Sequence, residues 1–166
     1  MDAIREHAMK VREFMARKPF GYTGISDADL ATYSAALTHD SFTGEALDVN
    51  ICVESYERLE FLGDSVVELI ACDHIYHNSD LREGKMTDFK QEIVANRKIS
   101  ERVLSYGMGI DDAMLVGNSY KTGKDVINEN MRADCFEALV GAVYLTKGME
   151  EAKRIVGEVL IPKPRM

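Results

Sequence analysis

Apolar residues recur at helical spacing along most of this chain. Ile4, Ala8, Val11 and Met15 fall at i, i+4, i+7 and i+11, the stripe of one amphipathic helix that Pro19, Gly21 and Gly24 bring to an end. Ser26 is placed to cap a second helix with Leu30, Tyr33 and Leu37 as its stripe. From Thr43 the pattern lapses, which predicts a connection of about ten residues. A central helix then runs from about Ser55 to Tyr76. Leu59, Phe61, Leu62, Val66, Val67, Leu69 and Ile70 make it apolar nearly all round, the pattern of a buried helix. After Glu83-Gly84, Thr87 is placed to cap a fourth helix that reaches about Ser105 and closes at Gly107. Asp111 to Val116 predicts one short helix, and polar Gly117 to Asp125 a loop. Two more helices follow, Val126 to Thr146 with a stop at Gly148, and Met149 to Leu160 before Pro162. No segment alternates convincingly with period two, so the expected fold is all-α.

Within the apolar central helix stand three carboxylates. At about 100° per residue, Glu57, Glu60 and Asp64 share one narrow stripe. Crowded carboxylates repel one another and require a cation or a shared proton. A second pair, Asp134 and Glu137, is spaced i, i+3 in the later long helix. Two such pairs on facing helices are a plausible way to build a Mg²⁺ site. The set contains oxygen donors alone, which suits Mg²⁺ or Mn²⁺ better than Zn²⁺.

The bulk properties narrow the partners. The 166 residues are 46% apolar, enough for one domain with a real core. A net charge of −8 rules out a general basic field, so any polyanion must meet a local patch or bound cations. Cys52, Cys72 and Cys135 form no CxxC pair and read as reduced thiols of a cytosolic protein; Cys72 and Cys135 fall inside apolar helices. Met1 to Lys18 is charged and unlike a signal peptide, and no apolar run reaches the roughly 18 residues of a membrane span. The expected location is cytoplasmic, with no membrane partner.

The segment Glu57-Arg58-Leu59-Glu60-Phe61-Leu62-Gly63-Asp64-Ser65 resembles the signature of ribonuclease III catalytic domains. Three further pieces resemble that family in order. They are Ala36-Leu37-Thr38-His39-Asp40-Ser41-Phe42, then Glu83-Gly84 with a polar helix behind it, then Asp134-Cys135-Phe136-Glu137-Ala138-Leu139-Val140-Gly141-Ala142-Val143-Tyr144. The resemblance implies an all-helical endonuclease domain that works as a homodimer and cuts double-stranded RNA with Mg²⁺. Its products would carry 5′-phosphates, 3′-hydroxyls and short 3′ overhangs. Carried over residue by residue, it makes Glu60, Asp64, Asp134 and Glu137 the metal ligands, with Asp64 and Glu137 catalytic. Glu57 and Glu83 match its additional acidic positions, and Phe61 its dimer contact. Asp40 stands where the family often has a basic residue. The family's usual downstream double-stranded-RNA-binding domain is not recognised, so the expectation is a single catalytic domain over residues 1–166.

RNA contacts are expected from local cations. Lys85, Lys90, Arg97, Lys98 and Arg102 recur along the fourth helix, and Lys121 and Lys124 lie in the polar loop. A solvated face is the plainer reading of each group. Glu68 also lies on the acidic stripe and reads as structural, and His74 and His77 as helix-end groups. Two other functions compete. A silent relative would serve as an RNA-binding or ribosome-associated scaffold, but no acidic position is lost. A helical phosphohydrolase built on His39-Asp40 would need further His and Asp ligands, and only His7 stands upstream.

Overall fold

A computed structural model describes residues 2–162 of the chain. Its helices are α1 (Asp2–Ala16), α2 (Asp27–Ala36), α3 (Asp40–Asp48), α4 (Glu57–Asn78), α5 (Glu83–Val94), α6 (Asn96–Tyr106), α7 (Ile110–Ala113), α8 (Asn118–Lys121), α9 (Glu129–Lys147) and α10 (Met149–Val159). The all-α expectation holds. Among the described residues the single β-type contact is an isolated parallel bridge, Thr38 to Leu115. Around it the His39 N–H donates to Leu115 O at 2.9 Å, and the Leu115 N–H to Leu37 O at 2.7 Å.

Helix α9 is the axis of the core, with α4, α6, α10 and α2 packed on it. From Met131 to Val143 every residue of α9 except Asp134 is buried. Removing side chains such as Phe136 and Leu139 from water contributes about 1.5–3 kcal/mol each, and both have no exposed surface. Two glycines decide how closely α4 approaches. A Cβ on Gly63 would lie 1.7 Å from the Glu137 carbonyl oxygen, and one on Gly141 would lie 2.5 Å from the Leu59 carbonyl oxygen. The two helices therefore cross backbone to backbone, and no other residue fits at either position.

Several boundaries differ from the pattern-based expectation. The stretch from Thr43 is helix α3, not loop. Its buried residues are only Phe42 and Ala46, which join Leu115 in a small separate cluster, too short a stripe to read as periodicity. The fourth helix is two helices: α5 opens at Glu83, so Thr87 is interior, and the chain turns extended at Ala95 (φ −62°, ψ 136°). No glycine or proline marks that break. A tertiary contact ties its far side, with the Asn96 side-chain amide donating to Asn130 Oδ1 at 3.2 Å. Helix α9 starts at Glu129, with the Asn128 side chain accepting the Met131 N–H. The polar loop contains α8. Ser26, by contrast, caps α2 as expected, accepting the Asp29 N–H at 3.1 Å.

Helix α4 is not buried all round. It buries Gly63, Val66, Val67, Ile70, Ala71 and Ile75, while Phe61 and Leu69 point outward, 79% and 57% exposed. Cys72 is exposed as well, whereas Cys135 is buried and donates to Ala36 O; all three cysteines are free. No helix among the described residues is long and apolar enough to cross a membrane.

Candidate acidic metal centre

The close crossing of α4 and α9 determines where the carboxylates meet. Glu60 lies one turn before Gly63, and Glu137 is the residue whose carbonyl abuts it. Asp134 precedes Glu137 by one turn. Carboxylate oxygens of Glu60, Asp134 and Glu137 all lie within 4.8 Å of one another. Asp64 stands outside that trio and is exposed, yet its charge acts on all three. Glu57 is also exposed and acts on Glu60.

The proton affinities record an uncompensated site. Burial, followed by the charges of Asp64, Asp134 and Glu60, pushes Glu137 up to about 8. Glu60 and Asp134 are raised as well, each chiefly by burial. Nearby cations are committed mainly elsewhere: Lys90 is paired with Glu68, with Asp64 a lesser influence on it, and Arg132 is paired with Asp111. Among the described residues no ion pair reaches Glu60, Asp64, Asp134 or Glu137. A buried carboxylate beside two others, with oxygen donors alone, fits a divalent cation supplied from outside.

Two residues of the site carried no role in the ribonuclease reading of the sequence. Tyr56, 6% exposed, sits at the entrance to α4. Its hydroxyl is held above its ordinary range by burial, then by Asp134, Cys135, Asp40 and Glu60. His39 packs edge-on against Tyr56 and Tyr120, with ring centroids 5.6 and 5.5 Å away. The His39 imidazole acts on Asp134 in the opposite direction to burial, favouring its ionised form. The sequence signal for His39 was the Ala36–Phe42 segment; Tyr56 immediately precedes the Glu57–Ser65 segment and lay outside every motif.

The remaining candidates are dispersed. Glu83 is the exposed first residue of α5, and is not among the charges acting on the trio. The cations proposed as a phosphate-facing row are already paired: Lys85 with Asp88 at 3.4 Å, Arg97 with Glu101 at 2.9 Å, Lys98 with Glu92 at 2.9 Å, and Lys90 with Glu68. Arg102 donates to Leu160 O. That face is largely self-neutralised. Lys121 instead lies over the Phe42 ring, 5.6 Å from its centroid, and Lys124 is exposed. Phe61 is not core. His7, the upstream histidine, is buried and bonded to Ala113 O at 3.2 Å, so it adds nothing to His39 and Asp40.

Known proteins resemble this chain in sequence and in fold. The chain matches the family model described as Ribonuclease-III-like over residues 29–163. Ribonuclease 3 of Onion yellows phytoplasma is 35% identical over 143 residues, 86% of this chain and 58% of that protein. Ribonuclease 3 of Ligilactobacillus salivarius is 31% identical over 150 residues, 90% of this chain and 62% of that protein. The chain thus spans little more than half the length of these curated relatives. Among solved structures, the nuclease domain of ribonuclease III from Campylobacter jejuni superposes with a TM-score of 0.69 at 23% identity, over 94% of this chain and 97% of that one. A second structure of that domain, which concerns flexibility in a region involved in its dimer formation, gives 0.68 at 24% identity over 90% of this chain and 96% of that one.

Proposed function

The chain belongs to the ribonuclease-III-like family, and we propose on that premise that it is a metal-dependent endoribonuclease hydrolysing double-stranded RNA. The observation that supports the reading best is the trio Glu60, Asp134 and Glu137, converging within 4.8 Å with no ion pair to a Lys or Arg among the described residues. These three, with Asp64 at the open rim, would hold Mg²⁺, for which Mn²⁺ can substitute. Such a cation supplies Lewis acidity toward water and toward the phosphate oxygens. The chain's own contribution is placement. Gly63 and Gly141 hold the two helices at a separation that keeps the oxygens together. His39 opposes the burial that raises Asp134, and Glu137 would give up its proton as the site loads. Asp64 and Glu137 carry the catalytic assignment, Glu57 acts on Glu60 from the periphery, and Glu83, apart from the trio, is left to RNA placement. Water adds to phosphorus and the bond to the 3′ oxygen breaks, leaving a 5′-phosphate and a 3′-hydroxyl.

The protein would act as a homodimer in the cytoplasm. The exposed Phe61 and Leu69 of α4 are costly to leave in water, and a two-fold contact along α4 buries them. The dimer formation described for the Campylobacter jejuni domain supports this reading. Two sites facing one duplex would leave short 3′ overhangs. Recognition follows the A-form shape and the 2′-hydroxyls, since side chains cannot read the deep RNA major groove.

A long duplex RNA incubated with the chain and millimolar Mg²⁺ tests the activity on a gel. Short duplexes with 3′ overhangs are expected, and none with EDTA. Binding without cleavage would instead favour a silent scaffold. Light scattering of Phe61→Glu tests the dimer: a shift from dimer to monomer is expected, and a parent that is already monomeric at tens of micromolar overturns it.

A further inference from the structure

The segment from Gly117 to Asp125 is tied to α3 by two hydrogen bonds from its backbone, while its Tyr120 also packs against the main core. The Gly117 N–H donates to Ser41 Oγ at 2.9 Å, and the Asn118 N–H donates to Glu45 Oε1 at 2.7 Å. A Cβ on Gly117 would lie 2.7 Å from that same Glu45 oxygen and 3.0 Å from Ser41 O, so the backbone is pressed onto the helix. Further along, the Tyr120 ring meets His39 at 5.5 Å and the Lys121 ammonium sits over Phe42. The segment's own turn closes through Lys124 N–H and Asp125 N–H, both donating to Ser119 O. His39 is in turn the residue whose imidazole acts on Asp134. The segment is therefore registered against the acidic centre through α3.

We propose that Glu45 is a positioning residue, a carboxylate clamp that fixes the 117–125 segment so that Lys121 and Lys124 meet the RNA backbone at a set distance from the acidic trio. This rests on the reading of the chain as a double-strand-specific ribonuclease. Three observations carry it. A carboxylate accepting a backbone N–H at 2.7 Å is the stronger, charge-assisted kind of hydrogen bond. Glu45 has no Lys or Arg partner among the described residues, so its charge is directed at the segment alone. Lys121 and Lys124 likewise form no ion pair among the described residues, unlike the cations of α5 and α6. The clamp thus orders two cations that have no carboxylate partner among the described residues.

Two substitutions separate the clamp from a general effect on folding. Glu45→Ala removes the acceptor; Glu45→Gln keeps an oxygen at the same position. Amide hydrogen exchange over residues 117–125 should accelerate by roughly five- to tenfold in Glu45→Ala, the loss of one hydrogen bond, and by much less in Glu45→Gln. Duplex RNA binding, measured with Ca²⁺ in place of Mg²⁺, should weaken in Glu45→Ala, with a log–log salt slope lower by about one contact. In cleavage the loss should fall on KM rather than on kcat, and Glu45→Gln should recover most of it. Unchanged exchange in Glu45→Ala overturns the clamp. Faster exchange with unchanged RNA binding and KM overturns its link to RNA. If the parent chain itself fails to bind duplex RNA, the ribonuclease reading falls instead, and the exchange measurement still decides the clamp.

Discussion

Arg132 and Glu137 lie little more than one turn apart on α9 and are buried to a similar depth, 8% and 3% exposed. Their surroundings are opposite. Arg132 donates to both carboxylate oxygens of Asp111, at 2.8 and 2.6 Å, and to Ser100 Oγ at 2.8 Å. One buried charge thereby ties α9 to α7 and α6, and its desolvation is offset inside the chain. Glu137 has only other carboxylates near it, and burial with those charges pushes it up to about 8. A fold that can supply a buried Arg with a bidentate partner leaves a buried Glu a turn later without one. The first arrangement holds the structure together. The second destabilises it and leaves a place for a cation.

The widest separation between the two regions should come from Glu137→Gln. With a ligand and a titratable group gone, cleavage should fall by about a thousandfold or more, several kcal/mol of transition-state stabilisation. The thermal melt of the cation-free protein at neutral pH should hold or rise. Asp64→Asn, outside the trio, should also fail to support normal turnover while folding normally. Single-turnover cleavage of a labelled duplex measures both, and a Glu137→Gln rate within a few-fold of the parent would end the assignment.

At the other region the loss should be one of stability. Arg132→Ala leaves Asp111 and Ser100 without their partner in a partly buried setting, at a cost of about 3–5 kcal/mol. Denaturant unfolding measures it. Added Mg²⁺ should not specifically repair this defect, because Arg132 does not contribute to the acidic trio. A cost under about 1 kcal/mol would place the pair with ordinary surface ion pairs.

A pH series sharpens the contrast further. The folded-state value of Glu137 is raised, so its contribution favours the native state below the ordinary carboxylate range. That contribution is lost as pH rises from there through about 8. The cation-free protein should therefore lose on the order of 2–4 kcal/mol from this one group between pH 5 and 8.5. Mg²⁺ or Mn²⁺ should restore it, and Glu137→Gln should flatten the profile. His7 runs the other way. Burial lowers it to about 4, so its contribution is present above the ordinary imidazole range and is lost as pH falls through that value. Calorimetry with EDTA and with Mg²⁺ across this range checks both signs; a melt that rises toward pH 8.5 without cation would contradict the first.

The smallest effects belong to the paired cations of α5 and α6. Neutralising Arg97 or Lys85, each already facing a carboxylate in an exposed pair, should leave the thermal melt essentially unchanged. It should leave duplex affinity within about twofold. Lys121→Gln and Lys124→Gln should each lower the log–log salt slope by nearly one. Equal slopes for the two groups would show that the paired face also meets RNA.

The amino-acid sequence by itself determined the helical class, the four acidic positions on two helices and the family. Helical periodicity and short motifs are local properties, legible wherever a stripe is long enough. Ser26 and Gly107 were legible for the same reason, since a cap is a local hydrogen bond or a local positive φ. Helix α3 was not legible, because it buries so few residues that its stripe never repeats. Nor was the break at Ala95, held by a contact between Asn96 and Asn130. Only the tertiary structure decided that Phe61 faces outward, that Glu60, Asp134 and Glu137 converge while Asp64 stays at the rim, and that the cations of α5 and α6 are already neutralised. Those outcomes depend on how closely α4 and α9 approach at Gly63 and Gly141, and on which charges on neighbouring helices come within reach of one another. Both are set by packing between residues far apart in the chain, where periodicity carries no information.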